Sequence, residues 1–142
     1  MSKQFRAATA IALGFMIASA AMTHAQTAAP QPYATTEDIR AAVVRNVGSQ
    51  DSAVEASQAS NVLIISRINS NMNGAPHQLI NNEAVSIAGV VSKAIANTPY
   101  YETIHTIRVR YLDRLGSPPQ DKVLDSVEFR KGSNGKFDLH VS

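Results

Sequence analysis

The 142-residue chain has no cysteine. That excludes disulfide bonds and cysteine nucleophiles together, so the fold must be held by its apolar core alone. Other familiar chemistry is missing as well. There is no glycine-rich phosphate loop, no nucleophile elbow and no His-x-x-x-His pair. No internal repeat is evident. Charge of one sign is also lacking: the chain carries 13 Lys and Arg against 11 Asp and Glu. Setting aside Lys3 and Arg6 leaves 11 against 11, and such a balance supports no nucleic-acid surface. Phosphate, metal and nucleotide sites are not indicated, and no cofactor is expected.

The one long apolar run covers residues 7–21, roughly 15 residues, which is short for a membrane span. Lys3 and Arg6 precede it, and Thr23-His24-Ala25 supplies a small residue after it. Residues 1–25 read as a signal peptide, and the mature protein is expected to be periplasmic or secreted, without a membrane span. The lack of a cysteine beside the cut argues against a lipid anchor. Residues 26–34, with Pro30 and Pro32, read as a flexible lead. Residues 35–142 read as a single α+β domain.

Within that domain Thr35-Thr36-Glu37-Asp38 has the form of a helix start: a hydroxyl cap, then acids near the positive end of the helix dipole. Ile39, Ala42, Val43 and Val47 follow at helical spacing, and Gly48 supplies a stop. Residues 49–60 are rich in Ser, Gln and Ala, and read as a loop or a short weak helix over 52–59. Val62-Leu63-Ile64-Ile65 is a β-branched run suited to a central or doubly covered strand. Turn chemistry fills 70–76. Ile80, Ala84, Ile87, Val91 and Ile95 form one stripe, predicting a helix over 81–97. Small Ala84, Ala88 and Gly89 would let it approach a sheet closely. Pro99 ends it, and Tyr100-Tyr101 lead onward.

Three strands complete the chain, over 104–112, 123–130 and 137–141, and 117–119 connects the first two. In the first strand Ile107, Val109 and Tyr111 alternate with Thr106, Arg108 and Arg110. In the second, Val127 and Phe129 alternate with Glu128 and Arg130. In the third, Phe137, Leu139 and Val141 are expected inward. A two-residue Asn134-Gly135 turn would set Phe129 opposite His140 and turn the apolar residues to opposite sides. A three-residue Ser133-Asn134-Gly135 loop sets Phe129 against Leu139, Arg130 against Asp138 and Glu128 against His140. It also places Gly135 in the left-handed region. The expected fold is a two-layer α+β sandwich: a mixed four-stranded sheet in α-β-α-β-β-β order, with two helices on one face and the strand before the long helix parallel to the one after it.

Candidate functional residues are few. His77 reads as a solvated turn residue, and His105 as a packing residue in apolar register. His140 opposite Glu128 is either an ordinary cross-strand pair or an acid–base pair. Arg108, Arg110 and Arg130, with His140 and Arg67, would line the polar face of the sheet. Arginine forks there suit an unidentified protein or an anionic ligand, and a solvated, salt-bridged face is the alternative. Tyr100 and Tyr101 are interface candidates or partly packed rings. Two functions therefore stand: a non-catalytic binding or accessory module, and a small hydrolase-like enzyme using an acid–base pair on the sheet. The first is favoured because it needs only a surface. Oligomeric state is open.

Overall fold

A computed structural model describes residues 35–48 and 53–141. The expected signal peptide and flexible lead lie outside the described residues. Helix α1 (Thr36–Val47) starts at a complete capping box. Thr35 Oγ1 accepts from the Asp38 amide at 3.1 Å, and Asp38 Oδ2 accepts from the Thr35 amide at 2.9 Å. Two donors that would otherwise be orphaned are thereby satisfied. The chain then runs through β1 (Ala53–Ala59), β2 (Val62–Ile68), α2 (His77–Ile95), α3 (Pro99–Thr103), β3 (Thr106–Leu115), β4 (Gln120–Lys131) and β5 (Phe137–His140).

The sheet is mixed, in the order β1-β2-β3-β4-β5. Strands β2 and β3 are parallel, joined through α2 and α3, and every other neighbour pair is antiparallel. The α+β class, the mixed sheet and the parallel pair are as expected, but the sheet has five strands, not four. The extra strand is β1, in the segment read as loop or weak helix. Val54 is buried and Ala56 half-buried on the helix side, whereas Glu55 and Ser57 face away. Its Ser, Gln and Ala content favours a strand only weakly. What holds it is the ladder to β2, whose register runs from Ala53↔Ile68 to Ala59↔Val62.

Other boundaries differ: β3 runs on to Leu115 and β4 already starts at Gln120, where strands ending at 112 and beginning at 123 are expected. Helix α2 begins at His77 rather than near Asn81, and Tyr100-Tyr101 lie in the short helix α3 rather than an extended lead. Pro99 sits in the first turn of α3, where its missing amide costs nothing.

The α2 stripe packs as its spacing requires. Ile80, Ala84, Ile87, Val91 and Ile95 are all buried against Leu63, Ile65, Ile107, Val109, Val127 and Phe129. Ala88 joins them, but Gly89 is exposed and nothing lies within 4 Å of where its Cβ would be. Gly89 is therefore not needed for close approach. Ile39 and Val43 bring α1 into the same core. At the β5 end the helix layer runs out: Leu139, expected inward, is 41% exposed and Val141, just past the strand, is 82% exposed. Between α2 and β5 lies a groove of about 490 Å³.

Candidate functional site

The hairpin register is the one expected, with Glu128↔His140, Phe129↔Leu139 and Arg130↔Asp138. Gly132 N–H donates to Lys136 O at 2.8 Å, closing the Ser133-Asn134-Gly135 loop, and Gly135 has φ +77°. This register fixes what stands on the sheet face away from the helices. Opposed residues share a face, so the ladders read as rows across it. One row is Ser57, Ile64, Arg108, Glu128, His140. The next is Glu55, Ser66, Arg110, Ser126. A third is Ala59, Val62, Thr106, Arg130, Asp138. Beyond the register shift at Tyr111/Leu112 come Ala53, Ile68, Leu112, Val123.

Arg108, Arg110, Arg130 and His140 are thus brought together. Their partners differ. Arg108 Nη2 lies 2.6 Å from Glu128 Oε1, and Arg130 Nη2 lies 3.7 Å from Glu128 Oε2. Glu128 therefore answers two guanidinium groups, and no hydrogen bond joins it to His140 among the described residues. Arg114, which the sequence reading passed over, spans the sheet. Its guanidinium bonds Glu55 on β1 and Asp121 on β4, each at a closest 2.6 Å. These bonds hold both carboxyls below the usual carboxylate range.

Arg110 is the exception. Its Nη2 donates to Ser66 Oγ at 3.1 Å, and its Nε is buried without a hydrogen-bond partner among the described residues. Among the described residues it forms no ion pair, although its charge reaches Glu55 and Asp121. The row therefore offers one guanidinium without a carboxylate, flanked by the hydroxyl-bearing residues Ser66 and Ser126. Donors of this kind in one row suit a carboxylate or similar anion.

No family model, curated protein or solved structure matches this chain.

The other candidates stand elsewhere. Arg67 is not on this face. It follows Leu63 and Ile65 at even spacing, points under α2, is 3% exposed, and pairs with Glu83 at 2.9 Å. The Tyr111 hydroxyl joins the same cluster, 3.2 Å from Glu83 Oε1 and 3.3 Å from Ile80 O. Tyr100 and Tyr101 are half-buried on the helix side, so the sequence-predicted site divides in two. Tyr101 donates to Gly135 O at 2.8 Å, while Lys131 Nζ lies 3.6 Å from its ring centroid and bonds its carbonyl oxygen. His105 is exposed rather than packed, because β3 begins one residue later.

His77 is solvated at 88% exposure but sits on the first residue of α2, not in a turn, with Nδ1 2.9 Å from Asp125 Oδ2. The adjoining recess of about 340 Å³ is also lined by Asn73, Ile80, Tyr111 and Leu124. Its hydroxyl is Tyr111's, already engaged, so the His–Asp pair faces no free nucleophile there. Among the described residues, no group of three His, Asp or Glu could hold a metal ion, and no helix is long and apolar enough to cross a membrane.

Proposed function

We propose that this chain is an exported, non-catalytic recognition module that binds an anionic group of its partner on the open sheet face, at Arg110. The observation carrying this reading is the Arg110 guanidinium, which has a buried, unpartnered Nε and stands between Ser66 and Ser126. The residue as a whole is only half-buried, and its positive charge is answered by no ion pair among the described residues, which is what an incoming anion would meet. Arg108 and Arg130 frame the position but are already answered by Glu128, so they orient and neutralise rather than capture. The same commitment of Glu128, which bonds no histidine among the described residues, counts against a His140–Glu128 acid–base pair. Export rests on the charged start and short apolar run of residues 1–25.

The test is capture from envelope extract with the wild type, Arg110→Ala and the surface control Arg45→Ala. A partner held by the wild type and the control but lost by Arg110→Ala supports the reading. Equal retention by all three overturns it. Mass spectrometry of the protein from its native host checks export: the mature chain should begin near Gln26.

A further inference from the structure

Strand β5 ends the sheet, and its outer side pairs with nothing among the described residues. The hydrogen-bond parity of the hairpin says which groups point outward. Gly132 bonds Lys136, so Arg130/Asp138 and Glu128/His140 are the next bonded pairs in an alternating antiparallel ladder. The amides and carbonyls of Phe137, Leu139 and Val141 therefore face away from β4. Native sheets usually blunt such an edge with lysine, proline or a bulge. Within Phe137–His140 no lysine, proline or bulge occurs; what guards this edge is its length of four residues and the charge of Asp138, which His140 of a second copy would answer.

The edge is also self-complementary. Phe137-Asp138-Leu139-His140-Val141 reads apolar, acid, apolar, base, apolar, and in reverse apolar, base, apolar, acid, apolar, so acid meets base when the segment faces its own copy. Antiparallel pairing about Leu139 sets Leu139 on its own copy, Phe137 on Val141, and Asp138 on His140. In that register the outward-facing residues are the ones that exchange hydrogen bonds, two for each facing pair. The apolar set falls on the helix side, where Leu139, Val141 and Val85 are exposed beside the groove. The acid–base pairs fall on the open face. The opposite edge lacks this symmetry: pairing β1 about Ala56 sets Val54 on Gln58 and Glu55 on Ser57.

We propose that two copies of this chain pair antiparallel along β5, about a twofold axis at Leu139, forming one continuous sheet with five strands from each copy. Each open face then lies beside its mate, so the two Arg110 positions address one partner surface together.

Sedimentation of the protein, purified as its host processes it, tests this. The wild type is expected to dimerise. Leu139→Pro removes an outward amide while leaving the β4–β5 bonds intact, and should abolish the dimer with the melt little changed. Asp138→Lys and His140→Glu should each weaken self-association about tenfold or more, since every change counts twice across the axis. An equimolar mixture of these two variants should pair as tightly as the wild type, because each copy then meets its opposite charge. A monomeric wild type overturns the proposal, as does a dimer indifferent to Leu139→Pro. If Leu139→Pro does not fold, the mixture decides: no heterodimer means the pairing lies elsewhere.

Discussion

The Tyr101 hydroxyl donates to the Gly135 carbonyl at 2.8 Å, and the same oxygen would lie 2.3 Å from a Cβ added at Gly135. The contact ties α3 to the β4–β5 loop. It also leaves Gly135 two separate reasons to be glycine: a φ of +77° and the absence of room. Gly135→Ala should therefore cost about 1–2 kcal/mol for the backbone alone, with the clash adding to it. Tyr101→Phe should cost about 1 kcal/mol, the worth of one hydrogen bond. Combined, the two should cost less than their sum, because removing the hydroxyl relieves the clash but not the φ. Urea denaturation of the four proteins measures this, and strict additivity would show that the clash is not felt.

The α2 stripe predicts a second contrast. Ile87 and Val91 are fully buried, whereas Val85 on the same helix is 51% exposed. Ile87→Asp or Val91→Asp should lower stability by roughly 4 kcal/mol or prevent folding, by burying a carboxylate without a partner. Val85→Asp should change the thermal melt little. Equal effects at positions 85 and 87 would mean that the helix is rotated about its axis.

The Arg67–Glu83 pair lies under α2 with Tyr111. Glu83→Ala should cost about 3 kcal/mol, because the Arg67 charge stays buried without this carboxylate. Replacing both, as Arg67→Met with Glu83→Leu, should be much milder, since the desolvated charges go together. Denaturant unfolding of the single and double variants checks it. A double variant as unstable as Glu83→Ala would mean that the pair contributes more than it costs to bury.

Tyr111 predicts an alkaline limit. Burial, then the Glu83 charge and its hydrogen bond, push the phenol well above its ordinary value near 10. The folded chain thus holds this proton more tightly than the unfolded chain. The resulting stability is complete below pH 10 and is lost as pH rises beyond it. Phenolate absorbance and circular dichroism followed together should show Tyr111 ionising only as the fold is lost. Tyr111→Phe should remove that step. Complete phenolate formation with a native circular dichroism signal would contradict this environment.

Several features were legible before any tertiary structure. The hydroxyl-capped, acid-rich start of α1, the α2 stripe and the Phe129–Leu139 register follow from local bonding or from a fixed period. The grouping of Arg108, Arg110, Arg130 and His140 followed from that register. Arg67 was misplaced because Val62–Ile65 reads as covered on both sides, which hides the parity that puts residues 63, 65 and 67 on one face. Arg114, Glu55 and Asp121 went unseen as a cluster because they come from three strands, one of them unrecognised.

The sequence by itself determined the elements whose stabilising partners lie a few residues away: one capped helix, an amphipathic stripe, a hairpin whose parity tolerates one loop length. Tertiary structure alone decided that 53–59 is a strand, because a Ser-, Gln- and Ala-rich segment gains its ladder bonds only from β2. It alone decided that the helix layer stops short of β5, which leaves Leu139 exposed although its parity is inward. And it alone decided that Arg110, among the described arginines of the open sheet face, is the one without a carboxylate. Ion pairs are set by distances across strands far apart in the chain, and no periodicity encodes those distances.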